Sequence, residues 1–317
     1  MNTAAKLSAF GVALALAGGL GWSAGQAVGP ITTAATEGHG PAPGQEDTRT
    51  EPDLPTGLWS SSNGYTLTPM TTALPRGADQ QYTFRIAAAD GAVVTAFDVA
   101  HDKRMHLIVV RRDTSAFQHV HPVMDPDGTW RVPLDVTHAG SYRVYADFDP
   151  EAGEAVVLGA DLDVAGEYVP RAYPPSRVAN VDGYEVRIDG DLVPGRSSKL
   201  TLTVVRDGRE VDDLEPYLGA YGHLVALRGG DLAYLHVHPD GEPGDGKTPP
   251  GPRVIFHAEV PSVAGYRLFL DFRHGGKVRT AEFTLDSAGY SAQPPATRPS
   301  TKPPATQESD AGHGHGG

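Results

Sequence analysis

The chain of 317 residues is acidic: 26 lysines and arginines stand against 39 aspartates and glutamates, giving a formal net charge of −13. This charge, without any cluster of basic residues, argues against a nucleic-acid partner, because phosphate binding requires a basic surface. The sequence contains no cysteine, which excludes disulfides, thiol nucleophiles, cysteine metal sites and lipid anchors on cysteine. A metal ion would therefore have to bind through histidine, methionine or carboxylate.

Residues 1–28 have the pattern of an export signal or a membrane anchor. Lys6 precedes an apolar run over 7–20, and small residues such as Ala27 follow it. A basic start, an apolar centre and a small-residue end are typical of a secretory signal. A stretch of about 20 apolar residues can also span a bilayer. Both alternatives predict an extracytoplasmic protein, either secreted or attached to the cell membrane by this helix.

Two segments lack the periodicity of folded structure. Residues 29–62 consist mainly of Gly, Pro, Thr, Ala and acidic residues, which predicts a flexible tether. Residues 291–317 are rich in Pro and Thr and end in GHGHGG, which predicts a disordered tail. We expect only weak metal binding from His313 and His315 in this tail, and from His39 in the tether.

An internal repeat lies between these segments and favours two domains, each of ordinary domain size. The copies cover residues 63–168 and 176–287, and the second has a turn-rich insertion over 240–252. In both copies one histidine precedes an HVHP motif by thirteen positions. The matching histidines are His106 with His223, His119 with His236, and His121 with His238.

Each copy contains short apolar runs rich in Val, Tyr, Phe and Thr, for example HLIVV and SYRVYADF in the first. Gly, Pro, Asp and Asn separate these runs, and no convincing helical period appears within the copies. About seven strands in roughly 105 residues are typical of an immunoglobulin-like sandwich. We therefore predict an all-β fold: two tandem immunoglobulin-like β-sandwich domains, with an N-terminal signal or anchor helix and disordered tails.

In the first copy, three histidines are predicted to converge on one face of a hairpin. Alternate residues of a strand point to the same side, so His119 and His121 share a face. A four-residue loop over 112–115 would place His106 directly opposite His121. Residues opposed in this way have Cβ atoms about 4.5–5.5 Å apart, which lets their imidazole nitrogens share one ion.

The same argument applies to the second copy. A loop over 229–232 would place His223 opposite His238, with His236 on the same face. Three neutral imidazoles without a thiolate or carboxylate suit copper, with zinc as the alternative. Met105 should face away from His106, so a methionine ligand is not expected.

A structural interpretation of the histidines stays open. Imidazoles on adjacent strands can hydrogen-bond to each other, to carbonyls, or to Asp113 and Asp231 near the hairpin turns. The repeated Asp147 and Asp271 are interpreted as surface charges on a late strand of each copy. Four histidines without a counterpart are interpreted as ordinary surface or loop residues: His101, His138, His257 and His274.

The stretch HDKRMHLIVVRRDTSAFQHVHP, followed by AGSYRVYADF, resembles the extracytoplasmic immunoglobulin-like domains of the YtkA-like kind in bacterial envelope proteins. The second copy carries the resemblance through HLVALRGGDLAYLHVHP and AGYRLFLDF. Some of these proteins are associated with copper or heavy-metal handling. The resemblance implies six candidate metal ligands: His106, His119, His121, His223, His236 and His238.

These observations leave three hypotheses of different classes. The leading one is an exported metal-binding envelope protein that buffers or passes an ion, copper first and zinc second, through a three-histidine site in each repeat. Its partners would be the metal ion and another envelope protein. The alternative is a non-catalytic tethered adhesion or scaffold module with structural histidines. The third is a zinc-dependent hydrolase with Asp113 or Asp231 as base, although no H-E-x-x-H zinc motif occurs.

Overall fold

A computed structural model describes residues 55–151 and 153–291. All of them belong to one compact unit, and within this part of the chain the structure consists of strands and turns. No helix among the described residues is long and apolar enough to cross a membrane. The signal or anchor predicted over 1–28, most of the tether and nearly all of the tail lie outside the described residues.

The first repeat is a sandwich of two five-stranded sheets, with strand orders β1-β2-β4-β8-β7 and β3-β10-β9-β5-β6. Neighbouring strands are antiparallel except β3 and β10, which pair in parallel. The strands are β1 (Ser61–Ser62), β2 (Tyr65–Pro69), β3 (Ala73–Leu74), β4 (Gly77–Ala88), β5 (His106–Arg111), β6 (Gln118–Val120), β7 (Val123–Met124), β8 (Trp130–Val136), β9 (Gly140–Phe148) and β10 (Val156–Val164).

The second repeat has the same plan. One sheet has the order β11-β12-β13-β17-β16 with β14 attached to β13, and the other has the order β15-β18-β19. The strands are β11 (Val178–Val181), β12 (Tyr184–Asp189), β13 (Arg196–Arg206), β14 (Arg209–Glu210), β15 (His223–Arg228), β16 (Val237–Pro239), β17 (Arg253–Val260), β18 (Gly265–His274) and β19 (Lys277–Asp286).

Each sandwich buries its own apolar core between its two sheets. In β8, every second residue of WRVPLDV is buried, as expected for a strand with one face on the core. A tyrosine fixes the corner of each repeat: the Tyr142 hydroxyl donates to the His138 carbonyl at 2.7 Å, and Tyr266 donates to Ser262 at 2.6 Å. Such tyrosine corners are a hallmark of immunoglobulin-like sandwiches. The predicted fold class is confirmed.

A third apolar cluster joins the two repeats. It is built from equivalent strands of both, β5 and β9 in the first and β15 and β18 in the second. Phe117 stacks on Phe269 with ring centroids 4.1 Å apart, and Tyr145 packs against Tyr234 at 5.4 Å. In the repeat alignment Phe117 corresponds to Tyr234, and Tyr145 to Phe269. The interface is therefore built from the same positions twice, as in a two-fold symmetric dimer.

The last residues of the predicted tether, 55–62, are hydrogen-bonded to the first sandwich. The backbone of Gly57 donates to Val157, and Trp59 accepts from Gly159 at 2.8 Å. A Cβ atom at Gly159 would lie 1.9 Å from the Gly57 carbonyl oxygen, so this approach requires glycine. Residues 55–62 are held by backbone hydrogen bonds that composition does not reveal.

Candidate metal centre

The three histidines of the first repeat converge at the open end of the β5–β6 hairpin. The strands pair Ile108 with His119, which is the register predicted from a four-residue loop. One ring nitrogen from each of His106, His119 and His121 lies within 4.8 Å of the other two. The ring centroids are 5.1–5.3 Å apart. The three imidazoles are close enough to share one cation.

A line of three contacts runs through this cluster. The Nε2 atom of His106 lies 3.1 Å from the Ala100 carbonyl oxygen, and its Nδ1 atom lies 3.1 Å from Nε2 of His119. The Nδ1 atom of His119 lies 2.9 Å from a carboxylate oxygen of Asp271. Each contact needs one hydrogen, but two neutral imidazoles carry only two N–H groups. One of the three contacts therefore has no hydrogen between its two atoms. An additional proton or a metal ion could supply the positive charge that is missing there.

Burial makes a bound proton less favourable than a bound metal ion at this cluster. Desolvation, with the neighbouring imidazoles adding to it, lowers the pKa of His106 to about 3 and the pKa of His121 to about 4. The Nε2 atom of His121 is itself buried and has no hydrogen-bond partner among the described residues. An unsatisfied buried nitrogen beside two facing nitrogens is a donor set suited to a metal ion.

Asp271 is a residue that sequence reasoning assigned to the surface. Its side chain is 4% exposed, and it comes from β18 of the second repeat. Its second oxygen accepts a hydrogen bond from the Thr280 hydroxyl. One signal in the sequence could have found it, because Asp147 and Asp271 occupy matching positions in strands of mainly apolar residues. The partner, however, lies in the other repeat.

In each repeat a tight turn before the strand supplies a carbonyl that fixes the first histidine. Ala100 serves His106, and the Leu218 carbonyl accepts from Nε2 of His223 at 2.8 Å. His101 lies in the first of these turns with a left-handed φ of 48°, typical of such turns. Its ring is 5.1 Å from that of His223. His101 therefore borders the cluster, although it was interpreted from the sequence as an ordinary surface or loop residue.

His223 joins the first repeat's cluster instead of forming its own. Its ring centroid lies 6.1 Å from that of His106 and 6.0 Å from that of His119. Desolvation lowers its pKa to about 4. It is a half-buried neighbour of the triad formed by His106, His119 and His121, which are the only histidines in the group of converging ring nitrogens among the described residues.

The predicted pairing of His223 with His238 is not formed. The β15 hairpin begins in the predicted register, with Leu227 opposite Tyr234, but β16 then pairs with β17 of the opposite sheet. There His238 lies opposite His257. His236 and His238 are both exposed, with ring centroids 4.0 Å apart. The crossing to the other sheet separates them from His223.

Asp113 and Asp231 do not reach the histidines. They lie in the hairpin turns, at the far ends of β5 and β15, roughly 15–20 Å along the strand from the first histidine of each repeat. Asp113 pairs with Arg111 at 2.8 Å, and Asp231 pairs with Arg228. Both carboxylates stabilise turns, so neither can be the base of a hydrolase at this triad.

A cavity of about 630 Å³ opens beside the triad between the repeats. The ionisable residues that line it include Asp147, opposite His106 in the β5–β9 pairing. Burial raises the pKa of the Asp147 carboxyl to about 6. Both repeats contribute histidines to the wall: His101, His106, His119, His223, His236 and His238. The triad can therefore be reached by a small solute.

The chain is similar to several solved structures at low identity. The adhesin FdeC of Escherichia coli is 18% identical, with 72% of this chain and 65% of that chain covered and a TM-score of 0.23. Invasin, described as a bacterial integrin-binding protein, is 11% identical, with 72% and 40% covered and a TM-score of 0.23. The chain thus spans less than two thirds of either. At TM-scores this low, the likeness supports no conclusion about function.

No curated protein matches the sequence. The sequence profile of one family matches it twice, over residues 60–166 and 179–289. These two matches cover most of the described chain and coincide with the two sandwiches. The chain therefore belongs to the family described as a domain of unknown function, DUF8832, and carries two tandem copies of that domain.

Proposed function

We propose that this protein is a non-catalytic tandem immunoglobulin-like module, presented outside the cytoplasm, that binds one divalent copper or zinc ion at His106, His119 and His121. The observation that supports it best is the deficit of one positive charge in the line of contacts through His106 and His119. The unpartnered Nε2 atom of His121 points to the same conclusion. The location outside the cytoplasm rests on the export pattern of residues 1–28.

The distances between the three imidazole nitrogens would fit such an ion after a small movement of the rings toward each other. Metal–nitrogen bonds of 2.0–2.1 Å in tetrahedral geometry place ligand nitrogens about 3.3 Å apart. His106 and His119 are already at 3.1 Å, and the third nitrogen lies within 4.8 Å. A modest rotation of the His121 ring completes the site.

The ligand set also favours particular ions. Divalent copper binds nitrogen ligands more tightly than zinc, and the YtkA-like resemblance points to copper as well. Met105 is buried in the core of the first sandwich, so it does not offer a soft ligand for monovalent copper. Three neutral imidazoles without an anionic ligand suit reversible binding, and we propose that the protein buffers the ion or passes it to another envelope protein.

The adhesion or scaffold alternative is favoured by a different observation. The shared apolar cluster and the docked segment 55–62 hold two sandwiches together, as a displayed spacer requires. In that function the histidines serve only to join the repeats, and the cluster holds a shared proton instead of an ion.

The two functions are separated by calorimetric titration of the purified chain with Cu²⁺ and Zn²⁺. The three weak candidates are replaced by Asn throughout: His39, His313 and His315. Two triple variants are then matched to each other. The first changes His106, His119 and His121 to Ala, and the second changes His223, His236 and His238 to Ala.

We expect one equivalent bound by the parent, retained stoichiometry in the second-repeat variant, and loss of binding in the first-repeat variant. Both variants are first shown to be folded by circular dichroism. Absence of tight binding by the parent, or binding lost only in the second-repeat variant, would overturn the metal proposal.

A further inference from the structure

We infer that the metal site is completed by the second repeat: Asp271 positions His119 from across the interface, so ion binding and docking of the two repeats stabilise each other. This inference rests on the proposed function and adds a positioning residue and a coupling to it. Nothing in the HVHP motif itself requires a partner from the other copy.

The Asp271 carboxylate is fixed on both oxygens. One lies 2.9 Å from Nδ1 of His119, and the other accepts from Thr280. The side chains of His119 and Asp271 are both 4% exposed. At such burial a hydrogen bond to a charged carboxylate is strong, and leaving the carboxylate unpartnered would be costly.

The contact sets the tautomer of His119. Because the carboxylate only accepts hydrogen bonds, Nδ1 must carry the hydrogen and Nε2 must present its lone pair to His106 and His121. A carboxylate behind a ligating histidine fixes the ring and raises its basicity, and removing such a partner typically costs about 10–100-fold in metal affinity. Asp271 therefore acts through His119 and does not touch the ion.

The contact belongs to the interface between the repeats. Phe117 and His119 are two positions apart in the chain, as are Phe269 and Asp271. Phe117 stacks on Phe269, and His119 contacts Asp271. The aromatic stack thus sets the position at which His119 meets its carboxylate. Any change that loosens the stack should also loosen the ligand.

Thermodynamic linkage makes the coupling between ion binding and docking of the repeats reciprocal. An ion that binds more tightly to the docked arrangement stabilises docking by the same free energy by which docking strengthens binding. The ion should therefore protect interface residues beyond its ligands, for example Val225 and Leu227, which lie in the shared apolar cluster.

The test measures the dissociation constants of Zn²⁺ and Cu²⁺ by chelator competition for the full chain and its variants. Asp271→Asn removes the carboxylate. Asp213→Asn is the matched control, because Asp213 makes the same kind of contact with His274 at 2.9 Å, away from the triad. Phe117→Ala weakens the stack, and Thr280→Val removes only the hydroxyl that orients Asp271.

We expect Asp271→Asn to weaken metal binding about 10–100-fold. Phe117→Ala and Thr280→Val should weaken it by smaller factors, and Asp213→Asn should leave the dissociation constant unchanged. Saturating Zn²⁺ should slow amide hydrogen exchange at Val225 and Leu227 in the parent. If Asp271→Asn does not fold, Thr280→Val decides the matter by the same measurement.

Unchanged affinity in Asp271→Asn and Phe117→Ala, with the parent binding one ion, would overturn the cross-repeat inference and leave the proposed function intact. Equal losses in Asp271→Asn and Asp213→Asn would also overturn it, because the effect would not be specific to His119. A parent that binds no ion would instead refute the proposed function.

Discussion

The two hairpins that carry the HVHP motif have matching sequences but different structures. In the first repeat β6 stays beside β5 through Val120, and the histidines converge. In the second repeat the equivalent Val237 already pairs with β17 of the opposite sheet. The connection after β16 is also longer, through the insertion over 240–252. The comparison shows that motif spacing fixes a local register only while the strand remains in one sheet.

A second difference concerns where each histidine finds its partner. His121 lies in the triad of the first repeat, while its counterpart His238 lies opposite His257 within its own repeat. Among the described residues, the two copies of one domain thus hold a triad of converging histidines in the first repeat and an exposed histidine pair in the second. We interpret this as division between a binding copy and a supporting copy.

The largest expected effect comes from breaking the interface that supports this division. Phe269 is fully buried and stacked on Phe117, so Phe269→Ala should lower the free energy of unfolding by about 3–5 kcal/mol. Denaturant titration measures the change. Trp59→Ala, at a residue 63% exposed, is the control and should change it by less than about 0.5 kcal/mol. Equal effects would show that the cluster does not hold the repeats together.

Much of the first hairpin was predictable from the sequence, because a four-residue loop and strand alternation fix the β5–β6 register. Alternation also predicted that Met105 faces away from His106, and Met105 lies in the core of the first sandwich. Asp271 was not predictable as a partner of His119, because that contact depends on how two folded repeats dock. The position of His238 was missed for a related reason: strand crossing depends on competition between two sheets for the same segment.

Ion binding should stabilise the folded protein through the triad of the first repeat and not through His238 of the second. At a free Zn²⁺ concentration one hundred times the dissociation constant, linkage predicts an increase of about 2.7 kcal/mol in unfolding free energy. His106→Ala should abolish the increase, while His238→Ala should retain it. Thermal unfolding with and without Zn²⁺ measures both. An increase that survives His106→Ala would place the ion elsewhere.

The metal-free protein should lose stability as pH falls from about 6.5 toward 4. The pKa values of His106 and His223 are lowered by burial to about 3 and about 4, so the unfolded chain binds protons there first. Each group contributes a slope of up to about 1.4 kcal/mol per pH unit. His106→Ala should flatten the profile, measured by denaturant titration in chelator.

Asp147 should have the opposite effect on stability as pH falls. Its pKa is raised to about 6, so its protonation favours the folded state as pH falls and offsets part of the loss. Asp147→Asn should therefore steepen the decline below pH 6. A profile that is flat between pH 6.5 and 4.5 in the parent would contradict the burial of neutral imidazoles.

The most direct test of the central claim is a crystal structure of the zinc-loaded chain with anomalous data at the zinc edge. We expect one strong peak about 2.0–2.1 Å from Nδ1 of His106 and Nε2 of His119, with His121 turned toward it and Asp271 still on Nδ1 of His119. A peak at the exposed His236 and His238 pair, or no peak at the triad, would contradict the account.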